Sequence, residues 1–420
     1  MCFYIQLISF GIEDVKKVYL QDAIDAALKN NIDLQAAQLN INIAKNNIKS
    51  ANRLQNPSFD VFYNFGASGW TEPRQIGLTE TIELAKRKAR KNLAQSNLKL
   101  VEKNLGYSKF DLKMDVREAY INLVAAKSIL ATLEQQKLLQ DELLDIAQKR
   151  VKSGKVPEID VIQAEIALNQ MITQVNTAKV NVKSALTEFN KIINDPENIT
   201  YDSMDKIFSE ENNFTEMLTP APDEDFPPFS ELVSEALENR YDIQIAKQQI
   251  DVAEKNLTVI ARQRIPDISL SGGYGYQMAK HTDDGRFNSG GYVGASLVNI
   301  PLFYNYSPEI QNATYKLQQA ELNYQSVKNK AIKDISAAYD KFLTAAENLK
   351  YYGSKILVSS EELIEVSKAA YESGKSDITS LIVMKQSYKS IIVGYTYALA
   401  DYYNSWTNFL REVNDETFDI

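Results

Sequence analysis

The sequence predicts a mainly α protein with a small β part, in which a helix–strand–strand–helix–helix plan occurs twice in tandem. Three observations carry that expectation. Glycine and proline are scarce, with 16 Gly and 11 Pro in 420 residues, roughly 4% and 3% of the chain against usual shares of about 7% and 5%. Two long stretches carry apolar residues at seven-residue spacing, and four short stretches alternate apolar and polar residues with period two. The halves also match each other: Ala27, Leu28, Asn30, Asp33, Gln35, Ala37, Ala44, Asn47 and Pro57 recur in register as Ala236, Leu237, Asn239, Asp242, Gln244, Ala246, Ala253, Asn256 and Pro266. Further along, Asp115, Ala119 and Tyr120 match Asp334, Ala338 and Tyr339, and Ser153-Gly154-Lys155 matches Ser373-Gly374-Lys375.

The elements follow in order. Residues 1–193 form a first repeat, with strands expected over about 57–67 and 74–84 and a helix-hairpin tip at about 152–157. In the first strand Phe59, Val61, Tyr63 and Phe65 alternate with other residues; in the second Ile76, Leu78, Ile82 and Leu84 do so. From about residue 86 to 151 there is no proline. Leu98, Leu105, Leu112, Ala119, Ala126, Leu133 and Ala147 fall on one seven-residue register, and Val116, Leu123, Leu130, Leu144 and Val151 on a second, interrupted by Lys137. Two apolar positions per heptad predict a left-handed coiled coil about 90–100 Å long. Residues 194–228, rich in acidic residues and proline, read as a linker or equatorial region.

The second repeat, 229–420, predicts strands over about 266–279 and 290–303 and a tip at about 373–377. Its long helix carries one seam through Ile310, Leu317, Tyr324, Ala331, Ala338, Ala345, Tyr352 and Val366. A second runs through Ile335, Phe342, Leu349, Ile356, Leu363 and Ala370. Aromatic residues, among them Phe303, Tyr304 and Tyr306, gather near the strand ends, and each strand is long enough to cross a bilayer when tilted. A soluble sheet with one wet face shows the same alternation.

Composition removes several function classes. One Cys (Cys2) and one His (His281) leave no intramolecular disulfide and no Cys/His zinc cage, and Ser-His or Cys-His chemistry has only one imidazole to draw on. The net charge of −9 has the wrong sign for nucleic acid. No apolar run is long enough for a membrane-spanning helix, so any membrane segment is a β-strand. The apolar N-terminus lacks a basic leader and a cleavage site. It reads as a start lost or misassigned within a longer precursor, as an ordinary apolar segment, or as an anchor lipidated at Cys2. Strands in lipid must pair every backbone group in a closed barrel, and four strands cannot close alone, so a membrane reading requires further copies of the chain.

In this pattern the chain resembles the TolC-like outer membrane efflux proteins over nearly its whole length. The resemblance rests on the duplicated plan, on Asn-x-x-Asp-Leu/Ile-Gln at Asn30 and Asn239, on Gln75 to Arg90 with Ile82-Glu83-Leu84, Arg87 and Arg90, and on Ile300-Pro301-Leu302-Phe303. The segments Arg150 to Asp160 and Tyr371 to Leu381 are similar too. It implies a homotrimer whose strands share one transmembrane β-barrel, continuing into a periplasmic α-helical barrel. It further implies a passive duct docking on a periplasmic adaptor and an inner-membrane pump of RND or ABC type, located in the outer membrane and extending into the periplasm. No cofactor or metal is implied, and the exported small molecules, metal ions or proteins leave no signature.

The resemblance places the turns at Gly154 and Gly374 at the periplasmic tip, so Gly154, Lys155, Gly374 and Lys375 are expected to touch the adaptor; as residues they are simply helix-ending turns. Asp160 and Tyr371 occupy the positions of a link that holds the tip closed, while Ser376, Ser380 and Val383 depart from the family's pattern. Gly374-Lys375-Ser376 is no phosphate loop, since a long helix precedes it. Gly272-Gly273-Tyr274-Gly275 lacks dinucleotide spacing and fits a pore strand whose small residues face neighbouring chains. His281, with Asp283 and Asp284, sits in a polar loop better read as an exposed hairpin end than as a metal site. The rival to an export conduit is a soluble coiled-coil scaffold capped by hairpins; an enzyme fits least, because titratable residues do not cluster.

Overall fold

The structure is a computed structural model and describes residues 15–63, 73–205, 229–280 and 287–414. Cys2, Phe65, residues 206–228 of the linker, and His281, Asp283 and Asp284 lie outside the described residues. In chain order the elements are β1 (Val15–Val18), α1 (Leu20–Asn30), α2 (Ile32–Ala51), β2 (Ser58–Tyr63), β3 (Pro73–Ile82), α3 (Lys86–Lys152), α4 (Ile159–Ile193) and β4 (Thr200–Ser203). Then follow α5 (Phe229–Asn239), α6 (Tyr241–Ala261), a 3₁₀ turn (Arg262–Arg264), β5 (Asp267–Lys280), β6 (Phe287–Val298), α7 (Ser307–Tyr351), a π-helical turn (Tyr352–Ile356), α8 (Leu357–Glu372) and α9 (Ile378–Val413). The described chain is mostly helical with a small sheet part.

Three local features differ from the sequence reading. Each expected first helix is two helices meeting at a corner. At the first corner Asn31 caps α2, its Oδ1 accepting the Leu34 N–H at 2.8 Å while its Nδ2 donates to the Ile192 carbonyl at 2.9 Å. At the second, Arg240 Nη1 donates to the Glu412 carbonyl at 2.7 Å. A short strand, β4, lies inside the expected linker and pairs in parallel with β1, Val15 opposite Thr200. The long helix of the second half is interrupted by the π turn, whereas α3 runs unbroken for 67 residues, about 100 Å at 1.5 Å per residue.

The chain forms two compact units, each drawing segments from both halves. One comprises Met1–Ala36, Gly106–Tyr241 and Asn329–Ile420, the other Ala37–Leu105 and Asp242–Lys328. The first unit holds the main core, where Phe110, Tyr120, Phe189, Phe342, Trp406 and Phe409 are buried together. Rings of Phe342 and Trp406 lie 5.0 Å apart, a spacing at which aromatic pairs attract beyond their area burial. Tyr120 of α3 donates to Asp205 Oδ2 at 2.6 Å and to the Val18 carbonyl at 3.2 Å, tying the β1–β4 pair to the helix. Burial, reinforced by Asp205, raises the Tyr120 pKa.

The predicted seams hold through the middle of the helices. Leu105, Ala119, Leu133 and Ala147 of α3 are buried, as are Ala331, Ala338, Ala345, Ile335 and Phe342 of α7. Beyond Leu130 the buried positions of the second α3 seam fall one residue earlier, at Gln136 and Leu143, and Lys137 is half-buried. From the end of the π turn through α8 the seam moves the other way: Ile356, Leu363 and Val366 are exposed.

Candidate functional site

The second unit carries a four-stranded antiparallel sheet in the order β2-β3-β5-β6. Its register decides its chemistry. Phe59, Leu78, Gly272 and Val293 stand in one cross-strand row, Val61, Ile76 and Tyr274 in another, and Ile82, Ile268 and Leu297 in a third. Because alternate residues point to opposite faces, these rows share one face and make it apolar. The other face carries Asp60, Gly77, Gly273 and Tyr292 in one row, Ser58, Thr79, Ser271 and Gly294 in the next, and Thr81, Ser269 and Ser296 in a third.

The apolar face is uncovered. Val293 is 92% and Leu297 60% exposed, and among the described residues no member of β2, β3, β5 or β6 belongs to a buried apolar cluster. A water-soluble sheet buries that face against a core. Among the described residues both outer strands, β2 and β6, have a partner on one side only. At the helix-proximal end, Leu302 and Phe303 are 76% and fully exposed, and Tyr304 packs edge-on against Tyr306.

Gly273 of β5 has a role within its own chain. β5 is a central strand, paired with β3 and β6 of its own chain. Gly273 and Gly77 make room for the ring of Tyr292, which lies flat on the polar face. A Cβ at Gly77 would sit 2.3 Å from the Tyr292 hydroxyl and one at Gly273 2.9 Å from its ring.

Helix–strand junctions in this unit are held by charge. Lys86 Nζ meets Asp267 Oδ2 at 2.6 Å with both side chains buried, Arg90 pairs with Glu83, and Arg87 Nε donates to the Asn52 carbonyl at 2.7 Å. These contacts account for the Glu83, Arg87 and Arg90 motif of the sequence.

The helix-hairpin turns belong to the first unit and are built alike. Gly154 and Gly374 have φ of +70° and +76°, left-handed backbone that favours glycine. The Gly154 N–H donates to the Val151 carbonyl and the Lys155 N–H to that of Arg150; likewise Gly374 donates to Tyr371 and Lys375 to Ala370. Both turns are Schellman caps, and all four residues expected to touch the adaptor, Gly154, Lys155, Gly374 and Lys375, are exposed. Asp377 caps α9, its carboxylate accepting the Ser380 N–H at 2.6 Å.

Tyr371 is 2% exposed, in a core with Leu143, Ala147, Ala164, Ile378 and Leu381. Its hydroxyl is buried without a hydrogen-bond partner, so within one chain Asp160 does not accept from it. Burial raises the Tyr371 pKa; the charge of Arg150 opposes that shift and the charge of Asp160 adds to it. What holds Tyr371 is Arg150, which the sequence reading did not single out. Its guanidinium lies 4.6 Å from the ring centroid, and its Nη1 donates to the Tyr371 carbonyl at 2.9 Å. The two halves differ here, Arg150-Val151 against Ala370-Tyr371, and that local break in the duplication was the available signal.

An uncovered apolar sheet face opposed to a polar one, on a chain of long coiled helices, matches known proteins. The sequence model of the outer membrane efflux protein family matches residues 23–195 and again 232–406. The chain belongs to the outer membrane efflux protein family. The outer membrane efflux protein BepC of Brucella suis is 24% identical over 340 residues, 78% of this chain and 70% of that protein. The cobalt-zinc-cadmium resistance protein CzcC of Cupriavidus metallidurans is 19% identical over 406 residues, 96% of this chain and 91% of that one. Among solved structures, the Campylobacter jejuni CmeC outer membrane channel has a TM-score of 0.75 at 20% identity, with 94% of this chain and 85% of that chain covered.

This efflux protein is therefore an outer-membrane channel subunit that extends into the periplasm, and the soluble scaffold reading falls. Among the described residues no helix is long and apolar enough to cross a membrane. The family works with adaptor and pump components, and its relatives are channel and export proteins rather than enzymes.

Proposed function

We propose that the chain is a tandem repeat of one helix–strand–strand–helix–helix unit, and that three copies assemble into a passive duct. The shared order of α1 to α4 and α5 to α9 and the two separate family matches support the repeat. The observation that carries the assembly is the four-stranded sheet with two open edges and an uncovered apolar face. In lipid an unpaired strand edge costs several kcal/mol per backbone group, and only a closed barrel removes it. Edge β2 of one copy pairing with edge β6 of the next closes the ring. Three copies of four strands give twelve, enough for a polar lumen lined by the Ser, Thr and Gly face.

The exposed turns, with Gly154, Lys155, Gly374 and Lys375, are the docking tips for a periplasmic adaptor, behind which an RND- or ABC-type inner-membrane pump supplies the energy. The surroundings of Tyr371, including Asp160, form the gate at the pore mouth. Cargo is small molecules, metal ions or proteins; CzcC is a cobalt-zinc-cadmium resistance protein and another relative is named a toxin and drug export protein.

The test is the native mass of the protein in detergent and in nanodiscs, together with cysteine pairs placed across β2 and β6. A ring of three covalently linked chains is expected. A chain that stays monomeric while its sheet remains folded and membrane-inserted refutes the assembly.

A further inference from the structure

The seam Ile335, Phe342 and Leu349 of α7, extended by sevens, reaches Ile356, Leu363 and Ala370. The structure leaves Ile356 38% and Leu363 48% exposed. The inward line is instead Leu357, Ile364 and Tyr371, one residue later: Leu357 and Ile364 are half-buried and Tyr371 is buried, with Ile364 and Tyr371 in the tip core. The displacement spans Tyr352–Ile356, the single π turn among the described residues. A π turn holds one more residue than the helix around it needs, and one residue of α-helix is about 100° of rotation. The sequence over 356–371 thus carries two apolar lines side by side, one turned toward the tip core and the other exposed at Ile356 and Leu363 and half-buried at Ala370.

We propose that α8 switches between these two registers. With the π turn formed, Tyr371 lies under the Arg150 guanidinium and the two Schellman caps are tied together. With the turn resolved into α-helix, α8 rotates by one residue, Ile356, Leu363 and Ala370 enter the seam, and the Arg150 clamp is released. This rests on the reading, given above, that the surroundings of Tyr371 are the pore gate.

Contacts at both ends make the switch specific. Arg150 closes its own cap, its carbonyl accepting the Lys155 N–H at 3.0 Å, while its side chain reaches the Tyr371 carbonyl, which also accepts the Gly374 N–H at 3.0 Å. Arg150 at the end of α8 further complements the negative pole of that helix. At the other end of the switch, the Tyr352 ring packs on Gly394 of α9, where a Cβ would fall 2.9 Å from its hydroxyl. The first half has no equivalent device, because α3 is continuous.

Two variants of the full-length protein test the proposal, each in assemblies where spin-labelled chains (Lys155→Cys, Lys375→Cys, in a Cys2→Ser background) are diluted with unlabelled ones. Deleting Gly353 removes the extra residue and keeps Leu357, Ile364 and Tyr371 on one seam of an unbroken helix. It is expected to give a single label distance and to lower the open probability in planar bilayers by about tenfold, whereas Arg150→Gln should add a second, longer distance and raise it by about tenfold. If neither the deletion nor Arg150→Gln moves the label distances, the register switch is overturned. If the distances respond as expected while conductance does not, the switch stands and it is the gate reading that fails. Arg150→Gln keeps the test decisive should the deletion not assemble.

Discussion

Replacing Lys86 by Met is the most telling perturbation of the helix–strand junction. Lys86 Nζ lies 2.6 Å from Asp267 Oδ2, with side chains 6% and 3% exposed. Asp267 Oδ2 has one other donor, Asn299 Nδ2 at 3.0 Å, and its Oδ1 is buried without a partner. Met preserves the aliphatic stem of Lys and its packing, so the loss isolates the charge. Breaking a buried pair from one side costs about 3–5 kcal/mol because the remaining charge is left uncompensated. Asn299 stays in place, which puts the expectation near the lower end, about 3 kcal/mol. Adding Asp267→Asn removes the stranded charge while keeping an acceptor for Asn299, so the double variant should recover at least half of the loss. Urea midpoints of the detergent-solubilised protein measure both. A single variant costing less than about 1 kcal/mol, or a double variant no better than the single, refutes the assignment of this pair as the charge that fixes the start of α3 to β5.

Three further outcomes are expected. Gly273→Ala should abolish stable assembly in detergent, because its Cβ would lie 2.2 Å from the Ile76 carbonyl, whereas Gly272→Ala, with nothing nearer than 3.7 Å, should assemble normally; native gel mobility distinguishes them. Burial alone would raise the Asp195 pKa, but hydrogen bonds from Tyr201, Glu197 and Asn30 hold it below the usual carboxylate value. Its contribution is present above the unfolded value of about 3.9 and lost as pH falls through the lower folded value, so Asp195→Asn should be less stable than the parent at neutral pH and equal to it in strong acid. Burial, aided by Lys368 and opposed by Glu142, lowers Lys385 to about 8. The folded state then binds fewer protons than the unfolded state between about pH 8 and 10.4 and gains stability across that window; in Lys385→Met the rise should vanish from a pH series of urea midpoints.

Much of the sheet was legible because its signal is local. Period-two runs after Pro57 and Pro266 locate β2, β3, β5 and β6 to within a few residues, since one uncovered face must be apolar at every second position whatever surrounds it. The partner of each strand was not legible. The Gly272–Gly275 run gives no sign that β5 is central or that Tyr292 lies over Gly273, because pairing order depends on how two distant hairpins meet. Buried polar contacts escaped for a related reason: Lys86 and Asp267 are 181 positions apart, and nothing in either neighbourhood marks them as partners. Family motifs such as Glu83 to Arg90 showed where such contacts concentrate without showing who makes them.

The helix tip shows how far periodicity can be carried. A heptad pattern fixes the buried face only while the helix keeps a constant number of residues per turn, and one added residue shifts every later side chain. Up to Leu349 extrapolation works, and beyond Tyr352 it picks out the exposed positions Ile356, Leu363 and Val366. Both lines are apolar between 356 and 371, so hydrophobic pattern alone is degenerate there and some other interaction must choose. The choice falls on the line that ends in an aromatic ring: Tyr371 on the buried line offers Arg150 a π face and Ala370 on the other offers none. The same degeneracy that defeated the sequence reading leaves two packings of similar apolar content, separated chiefly by one guanidinium. That is the condition under which a small perturbation at the tip can move a whole helix between states.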